Sequence, residues 1–150
     1  MFLRHPILTV LTFAYLALVG WVTLSPQSTI EQGSLLWRLA ALLDLIPGAD
    51  WFTFSRLEFL ANVAMFVPLG LFFVLLLGRS RWWLSILLGV AMTVGIELAQ
   101  QSIAGRVSDP RDVVANSLGA VIGTLLALLL TASKARRIRR EARLSTPSAV

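Results

Sequence analysis

Four runs of apolar residues, each close to the length of a bilayer core, constrain this chain more than anything else in it. They extend roughly over Ile7–Leu24, Leu57–Leu77, Trp82–Ala99 and Val113–Ala132. A hydrocarbon core of about 30 Å is crossed by about 20 apolar residues in α-helix. A backbone in contact with lipid must satisfy its own hydrogen bonds, so each run is expected to be helical. The fold class expected is therefore an all-α membrane protein with four transmembrane helices. The first run is too long for a signal-peptide core, and Trp21, Val22 and Leu24 leave no small-residue cleavage site after it, so it reads as a retained helix.

Charge is sparse and unevenly placed. Lys134, Arg136, Arg137, Arg139, Arg140 and Arg143, less Glu141, account for the whole net charge of +5. A basic stretch directly after an apolar helix reads as a cytoplasmic anchor against anionic lipid rather than a nucleic-acid surface, because no aromatic residues interleave it. The chain divides into a membrane domain over 1–133 and a basic tail over 134–150 that is expected to be disordered. Arg4, Arg79, Arg81 and the tail fall on one side of the bilayer. Arg38, Arg56, Arg106 and Arg111 fall on the other, among Glu31, Asp44, Asp50, Glu58, Asp109 and Asp112. The positive-inside bias then places both termini in the cytoplasm and the loops around 25–56 and 101–112 outside. With no cysteine and a single histidine, His5, the sequence excludes disulfides, thiol nucleophiles and His-rich metal sites. No cofactor is expected and no metal site is assigned, although Glu97, Asp109 and Asp112 offer oxygen ligands that a divalent metal could use if the chain is an enzyme.

The first outer loop has structure of its own. Ser34 to Ile46 has helical spacing with Arg38 and Asp44 as its only charges, and Pro47-Gly48 ends it. This predicts an amphipathic helix lying in the outer interface, followed by Trp51, Phe52 and Phe54 at headgroup level. It can equally serve as a lid packed on the bundle.

Two sequences look like helix starts. Ser55-Arg-Leu-Glu58 has the form of a capping box. Asp109-Pro110-Arg111-Asp112 offers an N-cap aspartate, a proline at the first helical position and an acid in the first turn. Capping alone thus gives Glu58, Asp109 and Asp112 structural work.

Asn62, Glu97 and Asn116 have no such explanation, since each lies within an apolar helix. At 1.5 Å per residue, all three fall at a similar depth, about one to two turns below the outer surface. Glu58 and Asn62 share a face, as do Glu97, Gln100 and Gln101. Asp112, Asn116, Gly119 and Gly123 form one stripe, in which Gly119-x-x-x-Gly123 permits close helix approach, within the chain or in a homo-oligomer. Pro68-Leu-Gly70 should kink the second span. A charged carboxylate costs at least about 2.5 kcal/mol at the bilayer centre, less toward an edge. Glu97 therefore needs a partner or water, and Arg56, Arg106 and Arg111 are the candidates. Amide hydrogen bonds that only hold helices together are the competing explanation; an acid with several outward arginines points further, to a polar pocket.

At these residues the chain resembles the VanZ-like family. The matching pieces are Asn62 with Phe66-Val-Pro-Leu-Gly70, then Glu97-Leu-Ala-Gln100, then Arg106 through Asp109 and Asp112, and finally Asn116-x-x-Gly119-x-x-x-Gly123, spread over roughly residues 55–130. An acid usual before Asn62 is matched by Glu58. The first helix and the basic tail lie outside these pieces. The resemblance implies a multi-pass protein of the bacterial inner membrane, named after an accessory factor in glycopeptide resistance acting mainly against teicoplanin. It brings no established reaction.

The expected ligand-binding set is Arg56, Glu58, Asn62, Glu97, Gln100, Arg106, Asp109, Arg111, Asp112 and Asn116, with Pro68, Gly70, Gly119 and Gly123 in helix packing. The arginines suit phosphate, and the amides and carboxylates suit sugar or amide groups. The partner expected is a membrane lipid, a cell-wall lipid precursor or a glycopeptide, not nucleic acid. An enzyme with Glu97 or Asp112 as acid or base on a lipid-linked substrate is the alternative, although no nucleophile stands out: Ser102, Ser108 and Ser117 lack a histidine. A flippase or small transporter is a third reading, weakened because the polar residues cluster in one leaflet.

Overall fold

A computed structural model describes residues 6–25, 35–43, 45–46, 51, 53–103 and 109–132. Its elements are α1 (Pro6–Leu24), α2 (Leu35–Leu43), α3 (Phe54–Leu77), a single 3₁₀ turn (Arg79–Arg81), α4 (Trp82–Gln100) and α5 (Pro110–Leu130). Among the described residues there is no strand, and α1, α3, α4 with its leading turn, and α5 are each long and apolar enough to cross a membrane. The four spans predicted from hydropathy are thus the four long helices.

Their ends differ in informative ways. The second span begins at Phe54, with Thr53 as an N-cap that forms no side-chain cap bond. Ser55 and Glu58 consequently lie inside the first turns and do not form a capping box. The fourth span begins as its sequence predicts, with Asp109 accepting from the Arg111 amide at 2.9 Å and Pro110 at the first position. Among the described residues the amphipathic segment is helical over Leu35–Leu43, and the amides of Leu45 and Ile46 donate back to the carbonyls of Leu42 and Leu43. Asp44, Pro47, Gly48, Asp50, Phe52 and the whole basic tail lie outside the described residues.

The bundle is organised around α3 and α5, which run parallel and share the most extensive contact in the fold. Glycine is what lets them approach. A Cβ on Gly119 would overlap the Val63 carbonyl and lie 2.8 Å from Phe66 Cβ. One on Gly123 would overlap the Val67 carbonyl, and one on Gly70 would overlap that of Ala120. The small-residue stripe of α5 is therefore filled by α3 of the same chain. α4 runs antiparallel to both, after a reversal at Gly78, whose φ of 86° favours glycine. Arg79 closes that end by donating to the Leu128 carbonyl and, at 2.6 Å, to Thr131 Oγ1, so it satisfies the last turn of α5.

α1 is the most peripheral span. Only Thr12, Val19 and Thr23 of its residues are buried, while Ile7, Val10, Phe13 and Trp21 are more than 60% exposed, as suits contact with lipid. Val19 packs with Phe66 and Leu69 in the core. Pro68 supplies no amide hydrogen to the carbonyl one turn before it, so α3 is locally loosened. Beside this point the Tyr15 hydroxyl donates to the Met65 carbonyl at 2.9 Å, and its ring meets Phe72 edge-on.

Candidate functional site

The starts of α3 and α5 and the end of α4 come together at one end of the bundle, opposite the Arg79–Arg81 turn. The polar residues predicted from sequence divide there into two groups.

The first group lines an open, shallow cleft of about 10 Å³, room for roughly one water, formed by Ser55, Glu58, Phe59, Asp109, Arg111 and Asp112. Parallel α3 and α5 create it, because their first turns carry the polar side chains while their glycine-matched turns hold the backbones together farther in. Asp109 is fixed by capping α5. Asp112 sits a turn deeper and accepts from Asn62 Nδ2 at 2.7 Å, which joins the two helices. Arg111 Nη1 donates to Ser55 Oγ at 2.7 Å across the mouth. The lining thus carries three carboxylates and one guanidinium. Among the described residues no group of three or more His, Asp or Glu side chains is placed to hold a metal ion.

The second group lies deeper, in the seam between α4 and α5. Asn116 is 3% exposed and donates from Nδ2 to Thr93 Oγ1 at 2.9 Å. Its Oδ1 is buried with no hydrogen-bond partner among the described residues. Glu97, 6% exposed, lies one turn from Thr93 on the same face of α4 and takes part in polar interactions. Farther along the seam Ala120 faces Gly89, where a Cβ on Gly89 would lie 2.5 Å from that of Ala120. Beyond them Thr124 Oγ1 donates to Ser85 Oγ at 3.1 Å, and Ser85 in turn donates to the Gly70 carbonyl at 2.8 Å.

Two expected members are engaged elsewhere. Gln100 is buried against α1 and donates to the Thr23 carbonyl at 2.8 Å. Arg56 lies over the Trp51 ring at 4.5 Å and donates to the Trp51 carbonyl, so its guanidinium is held at the rim. Arg106 lies outside the described residues.

With this arrangement in view, the chain was compared with known proteins. The family model described as VanZ/LLP1 matches residues 12–131. The chain belongs to the VanZ family. Comparisons with curated proteins and with solved structures return no match. The VanZ match starts within α1, so the first span is part of the family pattern, although the pieces legible by eye begin only at α3. It ends at Thr131 and leaves the basic tail outside.

This VanZ-family chain also uses residues that the sequence did not single out. Ser85, Thr93 and Thr124 build the α4–α5 seam, and Tyr15 and Thr23 tie α1 to the bundle, while Ser55, read from sequence as a cap, instead receives Arg111. A signal for the seam exists: Ser85, Gly89, Thr93 and Glu97 recur every four residues on α4, and Asp112, Asn116, Ala120 and Thr124 do the same on α5. Small and weakly polar residues raise little alarm in an apolar run, so the stripe is visible only when both helices are compared.

Proposed function

We propose that this membrane protein of the VanZ family binds the polar headgroup of a lipid, or of a cell-wall lipid precursor, at the outer leaflet of the bacterial inner membrane. The observation that carries this reading is the open cleft of Ser55, Glu58, Phe59, Asp109, Arg111 and Asp112 at the end of the transmembrane bundle. A headgroup could reach it while its acyl chains stay beside the apolar helices. The positive-inside bias supports an outward-facing cleft, because Arg79 and Arg81 lie at the opposite end. Arg111 supplies a fork suited to phosphate, and the carboxylates with Asn62 suit hydroxyl, amide or amino groups. Arg106 enters this reading from its place in the sequence alone. A protein of this kind would act at the surface that a lipid-tailed glycopeptide such as teicoplanin must approach, which would fit a role in glycopeptide resistance or envelope homeostasis.

The transporter reading finds less support. Below Asn116 the seam narrows to Gly89 against Ala120, which leaves no room for a polar cargo between its polar halves.

The test is retention of phospholipid by detergent-purified protein, read by native mass spectrometry after equilibration with mixed phosphatidylethanolamine and phosphatidylglycerol vesicles. Loss of a charge-assisted contact worth about 1.5–3 kcal/mol predicts at least about tenfold weaker retention in Arg111→Ala. Retention equal to wild type in both Arg111→Ala and Asp112→Asn would overturn the proposal.

A further inference from the structure

At the end of the bundle opposite the cleft, the turn between α3 and α4 carries Arg79, Ser80 and Arg81, all exposed. Arg79 is held in place there. Its Nη1 donates both to the Leu128 carbonyl and to Thr131 Oγ1 at the end of α5. Both acceptors are neutral, so these bonds orient the guanidinium without cancelling its charge by a carboxylate. A guanidinium has five N–H donors on three nitrogens, and only one nitrogen is committed to these bonds. The acids among the described residues are Glu58, Glu97, Asp109 and Asp112, and all of them belong to the cleft end of α3, α4 and α5. Directly after the turn come Trp82 and Trp83, 44% and 53% exposed in the first turn of α4. Leu87 and Leu88, also exposed, continue that surface one turn farther into the apolar span.

We propose that the Arg79–Arg81 turn and the tryptophan pair after it hold an anionic phospholipid in the leaflet opposite the cleft, one whose headgroup carries a phosphodiester charge and no cation. This site is separate from the cleft and does not depend on the function proposed for it. Capping of α5 accounts for the direction of Arg79, but not for the exposed Arg81 in the same turn, nor for two adjacent exposed tryptophans. A phosphodiester suits a guanidinium whose geometry is set in advance, because little side-chain freedom is then lost on binding. Tryptophan rings settle at headgroup level, where one end is wet and the other apolar. Leu87 and Leu88 then meet the acyl chains. The charge of this end decides between lipids. From Thr131, which Arg79 holds, the chain continues into Lys134, Arg136, Arg137, Arg139, Arg140 and Arg143, with Glu141 as the one acid among them. An ammonium-bearing headgroup brings a like charge into those surroundings, whereas one without an amine does not. The positive-inside bias puts this end at the cytoplasmic leaflet, whose surface potential is negative because anionic lipids reside there.

The experiment uses the full chain in detergent, equilibrated with an equimolar mixture of phosphatidylglycerol, phosphatidylethanolamine and phosphatidylcholine with identical acyl chains, and counts bound lipids by native mass spectrometry. Wild type should retain phosphatidylglycerol at least about fivefold over the other two, the equivalent of about 1 kcal/mol for one arginine near a membrane surface. Arg79→Gln keeps an amide donor for Leu128 and Thr131 but removes the charge, and should lower that preference about fivefold. Trp82→Leu combined with Trp83→Leu leaves the cap of α5 untouched and should also weaken phosphatidylglycerol retention, which keeps the test open if Arg79→Gln does not fold. Inorganic phosphate should not displace the lipid; displacement would assign the turn to a soluble anion and overturn the proposal. Equal retention of the three lipids by wild type would overturn it as well. So would a preference that survives both sets of substitutions, and its loss on changing Arg136, Arg137, Arg139 and Arg140 to glutamine would then place recognition in the tail alone. Arg111→Ala should leave the preference unchanged, so this site and the cleft stand or fall separately. Loss of the preference in Arg111→Ala would assign the anionic lipid to the cleft instead.

Discussion

Replacing Gly123 with alanine adds one methyl group at the tightest point between α3 and α5. The new Cβ would overlap the Val67 carbonyl oxygen and lie 2.8 Å from its carbon and 3.0 Å from the Leu71 amide nitrogen. These are backbone atoms within a helix, so no side-chain rotation relieves them. Restoring an ordinary 3.4 Å contact to the Val67 carbon alone requires about 0.6 Å of separation, and clearing its nearer carbonyl oxygen requires more. A radial gap of about 0.5–1 Å forfeits a quarter to a half of each dispersion contact along the opened interface. In a membrane that loss falls on the main force holding helices together, because lipid tails compete equally for apolar surface. Overpacking changes of this kind cost about 1–3 kcal/mol, and the rigid obstruction places Gly123→Ala toward the upper end. The assay is equilibrium unfolding in mixed micelles, with Gly95→Ala as the matched control, since a Cβ there meets nothing within 4 Å. Gly95→Ala should be neutral or gain up to about 1 kcal/mol from helix propensity. Equal stability of the two variants would refute the glycine-mediated contact between α3 and α5.

Ser85→Ala removes a hydroxyl that bridges the Gly70 carbonyl and Thr124, and should cost about 0.6–1.7 kcal/mol in the same unfolding measurement. Tyr15→Phe keeps the edge contact with Phe72 but loses the bond to Met65, so a smaller cost of about 0.6 kcal/mol is expected, together with faster proteolysis or labelling of α1. Arg79→Ala leaves the Leu128 carbonyl and the Thr131 hydroxyl without their guanidinium donor; the expected cost is about 0.3–1 kcal/mol, and faster amide exchange near Thr131 should accompany it.

The spans were legible because bilayer thickness fixes their length, and hydropathy fixes their position within a few residues. Helix starts were less so. Asp109 caps α5 as its motif predicts, because Pro110 restricts where that helix can begin. Ser55 and Glu58 fit a capping motif equally well, yet the helix runs through them from Phe54. The sequence also showed that Asn62, Glu97 and Asn116 share a depth, but depth is one coordinate of three. Rotation about each helix decides the partner, and it sends Asn62 to Asp112, Asn116 to Thr93 and Gln100 to a backbone carbonyl of α1. The close approach of α3 and α5 is set by Gly70, Gly119 and Gly123, and that of α4 to α5 by Gly89, and the role of each depends on which neighbour it faces.

The parallel pairing of α3 with α5 also bears on how the chain is made. The two helices that fit most closely are separated in synthesis by α4. While α5 is still in the ribosome, the Val63 and Val67 carbonyl ridge of α3 has nothing of matching shape to receive it. The nascent protein must then hold three spans in the bilayer with their main joint unmade, and that joint closes only when the last span arrives. A stop codon in the α4–α5 loop would leave a chain with most of its apolar length inserted and its central contact missing, a natural substrate for membrane quality-control proteases.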